Sequence, residues 1–162
     1  MKHDKTLFAW SLLRISLGWI FLWAFIDKLF GLGFATSPEA SWLAGGSPTT
    51  GFLKFGTQGP LAPLFQGMAG SAFVDWLFML GLLCIGVALL LGIATRIAGY
   101  AGALLMLLMY LAVLLPEHNP IIDDHIVYAI VLLGLTTVPS GMCSISSKWN
   151  QLGIVKKHPW LS

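Results

Sequence analysis

Between Asp75 and Glu117 the chain carries one charge, Arg96, with twenty uncharged residues on either side of it. A helix rises about 1.5 Å per residue, so roughly 20 apolar residues cross a hydrocarbon core about 30 Å thick. Two consecutive segments of that length predict transmembrane helices over about 75–94 and 97–115. The turn between them, Ala94-Thr95-Arg96, is too short for anything but antiparallel neighbours. Composition agrees: 57% of residues are hydrophobic and 10% charged, where a soluble domain carries about a quarter charged residues. A disordered tail, a nucleic-acid-binding domain and an ordinary soluble enzyme are excluded.

Two further apolar segments complete the expected architecture. One covers about 7–28 and is interrupted only by Arg14; the other covers about 122–138 and stops at Pro139 and Gly141. The first reads as an anchor, because Arg14 splits its apolar run and no small-residue cleavage site follows. The expected fold class is an all-α membrane protein, a four-transmembrane-helix bundle forming one domain over 1–162. Seven of the nine lysines and arginines (Lys2, Lys5, Arg14, Arg96, Lys148, Lys156, Lys157) fall on the side of the termini. By the positive-inside rule both termini are cytoplasmic. The connection over 31–71 becomes a long outer loop between helices 1 and 2. It holds nine of the 18 glycines and four of the eight prolines. It also carries Trp42, Phe52, Phe55, Leu61 and Phe65, which predicts short interfacial or re-entrant pieces packed over the bundle. A loop resting on lipid headgroups is the alternative. The segment 143–162, with Trp149 and Trp160 among lysines, reads as an interfacial tail on the cytoplasmic leaflet.

Small residues on the second and third helices (Gly81, Gly86, Ala88 and Gly92; Gly99, Gly102 and Ala103) predict close backbone approach. Ionisable residues inside a span are functional candidates by default. Arg14, Gly18, Phe21, Phe25 and Lys28 form one helical stripe with a cation near each end. Snorkelling to phosphates and pairing with a nearby acid would explain the two cations without function. The densest polar cluster is Glu117, His118, Asn119, Asp123, Asp124 and His125 at the entrance to the fourth helix, with Tyr128 three residues on. Part of it is capping. Asp27, Lys28 and Asp75 fall at the same membrane level, so polar groups from three helices are expected to converge under the loop.

Such a site suits a proton-coupled redox step. Histidine titrates near neutrality and a neighbouring carboxylate orients its ring. A quinone head needs donors at its oxygens and an apolar slot. The expected catalytic residues are His125, Asp123 and Asp124, and the expected quinone- or substrate-binding residues are Arg14, Lys28, Tyr128, Asn119 and Trp23. The competing reading is a salt-bridge cluster that only closes the bundle. No metal motif of defensible spacing and no nucleotide motif is present, so quinone is the only cofactor expected. Cys84 and Cys143 make no CxxC.

Taken together, Arg14 with Leu17-Gly18, Phe21-Leu22 and Asp27-Lys28-Leu29 resembles the first helix of the DoxX/DoxD membrane family. Gly86 to Arg96 and Gly102-Ala-Leu-Leu-Met resemble its second and third helices, and Asn119-Pro120, Asp123-Asp124-His125 and Tyr128 its fourth-helix entrance. The long loop, with Trp42-Leu43 and Gly59-Pro60, looks closest to the DoxD branch. That resemblance implies a subunit of thiosulfate:quinone oxidoreductase, which oxidises thiosulfate to tetrathionate and passes electrons to quinone. It also implies a small partner subunit of the DoxA type and a multi-pass location in the cytoplasmic membrane of a prokaryote. Six acids and two lysines on the outer side would repel a divalent anion, which counts against thiosulfate as the donor.

Three functions are therefore carried forward: a quinone-linked oxidoreductase subunit, a non-catalytic scaffold recruiting a soluble redox or oxidative-stress enzyme, and a small solute transporter. Expected partners are the lipid bilayer, quinone and a redox subunit, with no nucleic acid; a homo-oligomer is also compatible.

Overall fold

The computed structural model describes residues 2–116 and 119–161, and among these every regular element is helical. Four long elements make the bundle: α1 (Lys2–Phe30), α3 (Ala72–Leu91), α4 (Thr95–Ala112) and α5 (Asp124–Leu135). The shorter α2 (Ala62–Gln66) lies in the long loop, and α6 (Ser146–Trp149) and α7 (Gly153–Lys157) lie in the tail. Among the described residues, three helices are long and apolar enough to cross a membrane: Lys5–Phe30, Ala72–Leu91 and Thr95–Ala112.

The fourth expected span is shorter than 122–138. Asp123 caps α5 by accepting the Ile126 amide at 3.2 Å, and Thr136 closes it after twelve helical residues. The hydroxyls of Thr136 and Thr137 turn back to the carbonyls of Leu133 and Gly134. That competition with the backbone ends the helix before Pro139. Twelve residues span only about 18 Å. At α3 the charge is not the boundary. Asp75 sits inside the first turn, and the helix begins at Ala72.

Antiparallel succession puts both termini and the α3–α4 turn at one end, called here the terminal end, and the long loop at the other. Gly92 ends α3 with φ 68°, and the Ile93 amide reaches the Ala88 carbonyl at 3.0 Å, a six-to-one Schellman closure. α1 packs mainly on α3, α4 on α5, and α3 on α4. Leu17, Phe21, Met79, Leu82, Leu89 and Leu132 fill the shared core. A Cβ on Gly18 would lie 2.8 Å from the Leu90 nitrogen, and one on Gly86 would lie 2.7 Å from the Leu22 nitrogen. Both glycines therefore let α1 and α3 touch backbone to backbone. Gly81, grouped with Gly86 by sequence, behaves differently: a Cβ there would meet nothing within 4 Å.

The long loop is packed. Leu53 and Phe65 are buried with Ala112 in a second small core, and the Gln58 amide donates to the Ala112 carbonyl at 3.0 Å. The tail also folds back. The Ile145 amide reaches the Leu91 carbonyl at 2.9 Å, the Trp149 indole reaches the Leu161 carbonyl at 2.7 Å, and Val155 is buried.

Candidate functional site

Arg14 is 1% exposed and lies at the terminal end of the bundle. Its guanidinium faces only backbone carbonyls. Nε donates to Ser140, one terminal nitrogen to Leu89 and Leu90, and the other to Met142 and Cys143 at 2.9 and 3.1 Å. Carbonyls at a helix C-terminus have no intrahelical donor, and the planar fork of arginine supplies five. Arg14 thus closes the end of α3 and pins the segment after α5 against it. This carbonyl network differs from snorkelling to phosphates, and Arg14 lines neither of the two cavities described below.

At the loop end, Asp27 is 2% exposed and accepts the amides of Phe34 and Ala35 at 3.3 and 3.0 Å. Asp75, 7% exposed, accepts the Ser47 hydroxyl at 2.8 Å and both the amide and hydroxyl of Thr49 at 3.3 and 2.5 Å. Both acids are occupied in holding the long loop. Among the described residues, no hydrogen bond or ion pair joins them to His125. Each acid thus serves its own part of the long loop.

Beside Asp27, α1 and the start of the loop form a cleft of about 520 Å³. Trp19, Trp23, Phe34 and Lys28 line it, with Trp23 and Phe34 edge to face at 5.2 Å between centroids. Of the residues expected to bind quinone, this cleft brings together Trp23 and Lys28. Phe34 was not anticipated. Its place follows from the Asp27–amide hydrogen bonds, which a linear reading does not show.

At the entrance to α5, His125 Nδ1 lies 2.6 Å from Asp123 Oδ2 and 3.5 Å from Asp124 Oδ1. The ring donates from Nδ1, which in the neutral imidazole leaves Nε2 as the acceptor. Burial pushes the Asp123 carboxyl up, but the hydrogen bonds from the His125 ring and from the Ile126 and His125 amides, with the charge of His125, outweigh it. The net shift is downward. Asp123, Asp124 and His125 offer ligand atoms within 4.8 Å of one another, and they form the one such group among the described residues. Asp123 already spends Oδ1 on the cap and Oδ2 on the ring. Asn119 is exposed and accepts the amides of Ile121 and Ile122, so it shapes the turn before α5. Tyr128 packs half-buried against the main core. Glu117 and His118 lie outside the described residues.

A second cavity, of about 560 Å³, lies between α3 and α4 under the long loop. Its walls are apolar, with Phe65, Leu77, Gly81 and Leu105 among them, and among the described residues Lys28 is the only charged one lining it. Sequence reading missed it, because a gap between helices depends on which small residues face each other.

Three apolar spans, a shorter apolar helix and a buried arginine that closes one end define a small helical membrane protein. The DoxX family model matches residues 9–115, and the chain belongs to the DoxX family. Comparison with curated proteins and with solved structures finds no match.

Proposed function

We propose that the chain is a quinone-linked membrane subunit of a redox system, with the quinone ring seated in the cleft of Trp19, Trp23 and Phe34. The observation that carries this reading is the cleft itself: an aromatic slot with Lys28, whose ammonium can donate a hydrogen bond to a carbonyl oxygen, among its lining residues. The four apolar helices form the bundle in the lipid of a prokaryotic cytoplasmic membrane, with both termini cytoplasmic. The basic residues at the terminal end support that orientation. The His125–Asp123 pair exchanges protons with water at the loop side.

The likeness to the DoxD branch supplies the donor. Two thiosulfates join through a new sulfur–sulfur bond to give tetrathionate and release two electrons. The quinone takes up those two electrons and two protons to become quinol. A DoxA-type partner would hold the anions, since the loop side of this chain is rich in acids.

Quenching of tryptophan fluorescence by a short-chain ubiquinone, with the purified protein in nanodiscs, tests the site. Saturable quenching that Trp23→Leu weakens about tenfold is expected. Quenching unaltered by that change overturns the assignment. Absence of any bound quinone, together with stable co-purification of a soluble redox enzyme, would favour the scaffold instead.

A further inference from the structure

The cavity between α3 and α4 shares Lys28 with the aromatic cleft but is otherwise lined by other residues, and its apolar interior is not used by the reading above. Two independent features define what it accepts. The first is Gly81. Gly18, Gly86 and Gly99 are each pressed against a neighbouring helix, but the missing side chain of Gly81 opens onto empty space. Packing against a neighbouring helix does not require a glycine there. Ala101, on the α4 side, is a second small residue of the lining.

The second feature is charge. The lining is apolar along its length, and among the described residues Lys28 alone brings a charge to it. Among the described residues, no ion pair or hydrogen bond holds the Lys28 ammonium, and the neighbouring Asp27 is occupied by the Phe34 and Ala35 amides. Thr49, the other polar group at that end, is tied to Asp75. Phe73, Leu77 and Leu104 belong to the same walls and are also exposed on the flank of the bundle, so the route in runs sideways from lipid. The size falls within the usual range of about 300–1,000 Å³ for a small-molecule site.

The geometry points to a binding site for a single-chain anionic amphiphile, a long-chain fatty carboxylate. Its chain would lie along Gly81 and Ala101, and its headgroup would meet Lys28. One lysine matches the single charge of a carboxylate, and the acyl chain replaces contacts that the void otherwise forfeits.

Displacement of a fluorescent fatty acid from delipidated protein measures this. Oleate is expected to bind saturably at one equivalent, with oleyl alcohol about tenfold weaker. Gly81→Leu plugs the cavity where no atom stands in the way, and should weaken oleate about tenfold. Ala101→Phe does the same from the opposite wall, and thermal unfolding of both variants confirms that they are folded. Lys28→Met should abolish the preference for oleate over the alcohol.

Three results would overturn the assignment: no saturable oleate binding, oleate affinity unchanged in both plugged variants, or equal binding of acid and alcohol by the wild-type protein. The quinone site is scored separately, because Gly81→Leu should leave ubiquinone quenching intact and Trp23→Leu should leave oleate binding intact. Loss of ubiquinone quenching in Gly81→Leu would also count against the proposal, since it would make the cavity the quinone pocket.

Discussion

Thr49 donates its hydroxyl to Asp75 at 2.5 Å and its backbone amide to the same carboxylate oxygen at 3.3 Å, across twenty-six residues of sequence. Ser47 adds a third bond to that oxygen. Asp27 does the equivalent work at the end of α1 by binding the Phe34 and Ala35 amides. The long loop is thus held at two buried carboxylates, one on each helix it connects. One wall of each cavity belongs to this loop, so the shape of both sites depends on these two attachments.

Asp75→Ala removes the acceptor of three bonds and leaves the Thr49 groups without it. Hydrogen bonds to a charged group are worth roughly 1.5–3 kcal/mol, so the variant should lose at least about 2 kcal/mol of stability. Asp75→Asn keeps one acceptor oxygen and should lose less. Limited proteolysis between Ser47 and Gly59 should accelerate in the same order, Ala before Asn before wild type. Equal cleavage rates in all three would show that the loop is held by its own apolar core instead.

Arg14 is expected to be structural. Arg14→Met strands carbonyls at the end of α3 and in 140–143, and should cost at least about 1–3 kcal/mol, the range for leaving a buried acceptor unsatisfied. Arg14→Lys keeps the charge, but its three rotatable donors cannot match a fork that reaches five carbonyls. A substantial fall in melting temperature is expected for both, larger for methionine. Ubiquinone quenching in the folded fraction should be unchanged, because Arg14 lines neither cavity. A quenching defect at full stability would return Arg14 to the binding site.

How much of this could be read along the chain depends on whether the controlling contact is local. Arg96 between two uncharged runs places the α3–α4 turn to within a few residues, because charge spacing and membrane thickness are the whole argument there. The Asp123 cap and the stop at Thr136 are also local, but they act against the apolar pattern and shorten α5. Asp27 and Asp75 were legible as unusual but not as loop anchors, since their donors lie several to many residues away in turns without periodicity. Gly81 and Gly86 are the same residue on the same helix. Only the neighbouring helices show that one is a contact and the other a gap.

Asp123 links α5 stability to acid. Its folded-state pKa is depressed, so its contribution is fully present above the ordinary value of 3.8 and is lost as pH falls below it through the folded-state value. Far-ultraviolet circular dichroism should therefore show α5 unaffected from neutrality to about pH 5 and loosening only in strong acid. Asp123→Ala removes the cap at all pH values at a cost of about 1 kcal/mol. Asp123→Asn keeps a capping oxygen and removes the charge beside His125. If the pair serves proton exchange, asparagine should lower redox activity while leaving stability nearly intact, and equal effects on both would leave Asp123 only a capping role.

Gly86 and Gly81 provide opposite outcomes from one substitution. At Gly86 a new methyl group would lie 2.7 Å from the Leu22 nitrogen and 3.0 Å from its Cα, both backbone atoms that cannot rotate aside. Gly86→Ala must push α1 from α3, and overpacking of this kind costs about 1–3 kcal/mol. At Gly81 nothing lies within 4 Å, so Gly81→Ala carries only the gain in helix propensity, up to about 1 kcal/mol. Thermal unfolding in one detergent should lower the midpoint for the first and raise it slightly for the second. Destabilisation by Gly81→Ala would mean that another copy or an unseen element occupies that space, and the fatty-carboxylate cavity would no longer be available.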